Sequence, residues 1–369
     1  MLRRSLTLVR PLALAAALLF AAGCAKSTPT APGHVTRSWR MGFSALPPRP
    51  DQAVALRALA LWAPRADAAI SHEDVPWDSL LAGVRPDSLA LRLALPLAQY
   101  YRAKGLLYAY EIDPTNGIDR SAEAIALVGA HRSIGEPEVQ SLFRRWAAAV
   151  DSVVAPDWLG LASETNLVRF AAPASLYADL VRLSRGAADT LAALHARWHR
   201  ATSPALYTTV QVETAWGRLG GVAVYQGITT DLADFPFGAV LGLSSYPYLG
   251  GFAEPESIPT DYYARIASEA HRPVMVVEGG WSSASLTGVT TTPVKQARYI
   301  RTQGRLLAAA HAIAWWQLTF TDLALSTFPP PPPGTSLVPF ASTGLVDTVL
   351  APKPALALWD SLFALPRVP

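Results

Sequence analysis

The chain has 369 residues, 51% of them hydrophobic and 16% charged, enough for one large core. A formal net charge of +3, with no Lys/Arg block beyond Arg3, Arg4 and Arg10, argues against a nucleic-acid-binding face. Cys24 is the only cysteine, which excludes an intramolecular disulfide.

In chain order, a targeting segment comes first. Arg3 and Arg4 precede the apolar run LALAAALLFAA (12–22), which is too short for a standard spanning helix. Ala21-Ala22-Gly23-Cys24 follows and resembles a bacterial lipobox. That resemblance implies removal of residues 1–23, lipidation of Cys24, and a membrane-anchored lipoprotein on the extracytoplasmic side of the cell envelope. Residues 24–37 read as a polar, flexible tether.

From residue 38 to 366 short apolar runs alternate with helical patterns, the signature of βαβ units in a single domain. The predicted strands are 38–46, 66–72, 105–113, 158–164, 205–213, 240–248, 273–281 and 311–320. Helices are predicted between them, among them 51–63, 136–154, 175–200 and 293–310, and 352–365 closes the chain. Eight such units predict an α/β fold, a (β/α)8 TIM barrel. An open doubly wound sheet also alternates strand and helix. It is disfavoured because no G-x-G-x-x-G or phosphate-loop pattern follows the first strand, and polar or aromatic residues close nearly every strand.

Carboxylates that end buried parallel strands sit at the barrel mouth, where active sites of this fold gather. Glu164 ends WLGLASE, and Glu278 ends the strongly apolar run Val274-Met275-Val276-Val277 before Gly279-Gly280-Trp281. Two facing carboxyls are what glycoside hydrolysis needs, one to protonate the leaving oxygen and one to attack or to activate water. His72, Glu111 and Asp113 end the second and third strands and could bind hydroxyls, while Glu213 and Trp216 follow the fifth.

The Glu278-Gly279-Gly280-Trp281 stretch resembles the seventh strand of clan A glycoside hydrolases, the retaining (β/α)8 enzymes that include cellulases, mannanases and galactanases. The tail STGLVDTVLAPKPALALWDSL (342–362) also looks like the end of galactanase-type barrels. The resemblance implies Glu278 as nucleophile and Glu164 as acid/base on a β-linked glycan, with no cofactor and no metal. It further implies Tyr246 as the hydroxyl that bonds the nucleophile, and Trp315 of the Trp315-Trp316 pair as the sugar floor, with Trp281 as a second stacking face. The sequence departs from the clan pattern in having Ser163, not Asn, before Glu164; Asn166, two residues later, is then the candidate for the sugar contact. That departure keeps open a second function, a non-catalytic carbohydrate-binding envelope lipoprotein on the same barrel.

Other chemistries lack their residues. None of the seven histidines forms HExxH, and His195 and His199, one helical turn apart, read as solvated helix residues. No G-x-S-x-G elbow is present.

Overall fold

The computed structural model describes residues 35–198, 203–331 and 334–368. The targeting segment, Cys24, most of the tether and His199 lie outside the described residues. Eight parallel strands close into one barrel in chain order: β1 Arg40–Ser44, β2 Ala68–Asp74, β3 Leu107–Asp113, β4 Trp158–Gly160, β5 Ala205–Gln211, β6 Val240–Ser245, β7 Val274–Gly279 and β8 Ala314–Gln317. The (β/α)8 expectation holds, with β1 paired to β8 through Arg40–Phe43 and Ala314–Gln317.

Alternation along the strands sorts side chains into two cores. Ala68, Ile70, Ala109, Trp158, Tyr207, Met275, Val277 and Trp316 fill the barrel interior. Trp158 and Trp316 meet edge-on there at 5.7 Å, and the alanines opposite leave room for them. The outward residues pack under the helices, where Phe43 and Trp315 both contact Trp359 of the closing helix Pro354–Phe363. One glycine is sterically required near the site: a Cβ on Gly160 would lie 2.8 Å from the Tyr207 ring and 3.0 Å from Glu111 Cγ.

Several elements end sooner than the apolar pattern predicts. β4 stops at Gly160, β5 at Gln211 and β6 at Ser245, because the chain turns there into loops and short helices at the mouth. The stretch around Pro96 is two helices, Pro86–Leu93 and Leu95–Ala103, since proline lacks the amide needed to carry one helix through.

Candidate active site

Glu164 and Glu278 come to the same end of the barrel and line one cleft. Glu278 is placed by its buried strand. A bulge between Leu243 and Ser244 shifts the β6–β7 register, so that Ser244 pairs with Glu278. Such an irregularity re-aims a side chain, and the Ser244 hydroxyl lands between the two carboxyls. Its Oγ lies 2.6 Å from Glu164 Oε1 and 2.5 Å from Glu278 Oε1. Those two bonds through one atom hold the near oxygens within roughly 5 Å, the spacing of retaining rather than inverting glycosidases.

The Ser244 hydroxyl has one hydrogen, so it can donate to one carboxylate only. The second bond requires a proton on the other carboxyl. Burial, then the nearby Glu164 charge, raises Glu278 above the ordinary carboxyl range.

Glu164 is held differently. It lies past the end of β4 with a left-handed backbone, φ 44° and ψ 47°, and its N–H donates to Thr209 Oγ1 at 2.6 Å. Strained backbone of this kind costs about 1–3 kcal/mol and clusters at functional sites. Its Oε2 accepts from Arg120 Nε at 2.9 Å. Arg120, from the loop after β3, also pairs with Asp113, which Thr115 anchors through its N–H and hydroxyl at 3.0 and 2.9 Å. Burial works against the Arg120 charge, but Asp113 and Glu164 outweigh it and hold the guanidinium above its ordinary value.

Glu111 is a third carboxyl lining the cleft, 2% exposed. It accepts a short hydrogen bond from Ser163, the residue that stands before Glu164. Burial, then the Glu278 charge, pushes Glu111 up to about 8. His72 Nε2 is 4.0 Å from Glu278 Oε2, and burial lowers the imidazole to about 4, so it is neutral near pH 7. Tyr246 lines the cleft too, packed against Phe340 at 4.9 Å.

Four expected contacts lie elsewhere. Asn166 is 1% exposed, and its amide is spent on β5: Nδ2 donates to Gln211 O at 2.9 Å and Oδ1 accepts from Gln211 N at 2.7 Å. Trp281 turns away after the glycines and packs on Tyr248 and Tyr299, with Nε1 on Thr291 Oγ1 at 2.7 Å. Trp315 faces the helix layer, not the cavity, because its strand parity is opposite to that of Trp316. Glu213 is fully buried behind the site, where Gln211 Nε2, Tyr262 OH, Ser245 Oγ and Tyr246 N converge on its carboxylate at 2.5–3.0 Å. The hydroxyl on Glu278 is that of Ser244, not the expected Tyr246.

Arg120 and Ser244 carry much of the site's electrostatics, and neither is predicted from the sequence. Ser244 had a readable signal, since it lies two residues before Tyr246 on one strand and so shares its face. Arg120 sits in an aperiodic loop with no such signal. His195 bonds Asp151 at 2.9 Å, far from the cleft in sequence and outside its lining. Among the described residues no group of His, Cys, Asp and Glu is arranged to hold a metal ion.

No family model matches the sequence, and no curated protein matches it. Solved structures do. A GH5_18 protein from Streptomyces cattleya in complex with Manβ1-4GlcNAc superposes with TM-score 0.60 at 16% identity, over 88% of this chain and 80% of that one. The exo-β-1,4-mannosidase Op5Man5 from Opitutaceae bacterium strain TAV5 gives 0.58 at 14%, over 89% and 59%. A family 39 glycoside hydrolase from Bacteroides cellulosilyticus WH2 gives 0.56 at 15%, over 89% and 64%. At 14–16% identity the likeness is one of fold, a closed (β/α)8 barrel. This chain spans less than two thirds of the mannosidase and of the family 39 enzyme.

Proposed function

We propose that the protein is a retaining glycoside hydrolase acting on β-linked sugars, with Glu278 as nucleophile and Glu164 as acid/base. The observation that carries this reading is the Ser244 hydroxyl bonded to both carboxyls, which brings Glu278 of β7 and Glu164 of the turn after β4 to retaining distance across one cleft. Double displacement needs the proton on Glu164 and the charge on Glu278. In the free site Arg120 is paired with Glu164, while burial favours the proton on Glu278. Ser244 touches both oxygens and supplies a one-atom path for that proton to change sides as the sugar displaces water.

The test is hydrolysis of a panel of aryl β-glycosides by residues 38–369 and by Glu278→Ala and Glu164→Ala. Loss of about 10⁴-fold or more is expected in Glu278→Ala. Glu164→Ala should cost about 10²–10⁴-fold with poor leaving groups and less with activated ones. Azide should restore turnover in both, giving inverted glycosyl azide from the first and retained from the second. The ion pair between Arg120 and Glu164 favours the second reading, a binding protein without turnover; sugar binding with no hydrolysis in the unsubstituted chain would select it.

A further inference from the structure

The cleft changes character away from the carboxyls. Its cavity, about 960 Å³, is at the upper end of the roughly 300–1,000 Å³ typical of small-molecule sites, so it has room beyond one sugar ring. The loops and short helices after β1, β3, β4, β5, β6 and β8 contribute aliphatic side chains to its lining: Leu46, Ile118, Leu167, Leu219, Leu249 and Leu337. Leu46, Ile118 and Leu219 are 38–40% exposed, which leaves branched apolar side chains in water around the mouth of a cavity. Exposed apolar lining of this kind marks a surface that an apolar ligand covers.

A cleft for a second or third sugar ring would present open aromatic faces and hydroxyl partners at that distance. Trp281 and Trp315 are not in it, Trp77 and Tyr246 line it with rings 1% and 4% exposed, and Phe340 is half-buried. The polar groups are gathered at the inner end, around Glu111, Asp113, Arg120, Glu164 and Glu278, and along the β2–β3 side of the mouth, where Asp74, Asp78, Asn116 and Asp119 also line the cleft.

We propose that the substrate is a glycoside with an apolar aglycone, its sugar ring held at the carboxyls and its aglycone lying along the aliphatic walls. The inference deepens the hydrolase reading and rests on it for the orientation of the ligand. Leu167 sets that orientation: it lies one turn along the helix that Glu164 caps, and it lines the cleft on the side of the carboxyl that would protonate the leaving group.

The experiment is an alkyl β-glycoside series of one sugar, methyl, butyl and octyl, all below their micelle concentrations, beside a disaccharide and a phenyl glycoside of that sugar. Leaving-group basicity hardly changes along the alkyl series, so the comparison isolates contact with the chain. Each methylene that is fully buried can contribute up to about fourfold. A rise of 10-fold or more in kcat/KM from methyl to octyl is expected, mostly in KM, with octyl above the disaccharide. In Leu46→Asn/Leu219→Asn the octyl-to-methyl ratio should fall several-fold. A flat series, or preference for the disaccharide, overturns the inference. For phenyl, whose leaving group is far less basic, the comparison is made in binding alone: phenyl bound more tightly than methyl supports the inference and marks the walls as tolerant of rings. Calorimetric titration of the unsubstituted chain with octyl and methyl glycosides separates the two readings. Tighter octyl binding without turnover sinks the hydrolase assignment and leaves the apolar wall standing, whereas turnover with equal binding does the reverse.

Discussion

Glu164 takes an ion pair from Arg120 at 2.9 Å, whereas Glu278, on the other side of the same serine hydroxyl, has the neutral His72 ring 4.0 Å away. The two carboxyls are equivalent in chemistry and close in space, yet one is ion-paired and the other is pushed toward its acid form by burial. A strand places Glu278, and the turn after β4 places Glu164. A loop residue, Arg120, makes the two surroundings differ.

Replacing that loop residue gives the largest expected effect. In Arg120→Met, Asp113 and Glu164 keep their buried positions, 9% and 12% exposed at the side chain, and lose their cation. Removing one partner of a buried pair costs roughly 3–5 kcal/mol, which urea denaturation will read. Arg120 also holds Glu278 down electrostatically, so without it the carboxyl pair keeps its protons to higher pH. The bell of kcat/KM against pH should move to the alkaline side as a whole. A bell that stays in place while stability drops would confine Arg120 to a structural role and erase the asymmetry between the two glutamates.

The sequence shows the barrel clearly and the site only in part, for a physical reason. Burial of parallel strands on both faces leaves long apolar runs, and these mark β7 and Glu278 without ambiguity. Past the last ladder bond no such periodicity constrains the side chains. Glu213 follows β5 but starts a helical turn, so it points under Tyr246 into a shell of donors and not into the cleft. Trp281 comes after Gly279, whose φ of 147° and approach of a virtual Cβ to within 2.3 Å of Ser245 O admit only glycine; the turn carries the indole away. Trp315 and Trp316 obey strand parity, but which of the two faces inward depends on a register that pairing, not composition, determines.

A smaller effect sharpens the comparison at its third carboxyl. Glu111 rises from 4.5 to about 8, with burial the first cause and Glu278 the second. The folded chain then binds this proton more tightly than the unfolded chain does. Its contribution to stability is fully present below about 4.5 and is lost as pH rises through about 8. In that window the slope for one such group is on the order of 1 kcal/mol per pH unit. Glu111→Gln removes the titration, so urea midpoints measured from pH 5 to pH 8 should fall less steeply in the variant. Parallel slopes in the two proteins would show that Glu111 is ionised in the folded state and that its bond from Ser163 outweighs burial.

The smallest effect on activity belongs to Asn166. Counting along an extended strand puts it on the face of Glu164, and a sugar contact follows from that count. The chain instead turns at Glu164 into the helix Thr165–Ala171, and the amide closes a two-bond clasp on the Gln211 backbone. Losing it strands a buried N–H and a carbonyl, a cost of about 1–3 kcal/mol. Asn166→Ala should therefore lower the unfolding free energy by that amount and leave KM within about twofold, since the side chain reaches no ligand. A raised KM at unchanged stability would instead place the amide in the cleft and restore the sugar contact that Ser163 does not supply. The strained backbone of Glu164 gives the first outcome its rationale: Thr209 and the Asn166 clasp tie both sides of that residue to β5, and a carboxyl that must stay within reach of Ser244 needs its backbone fixed more than it needs a neighbouring sugar contact.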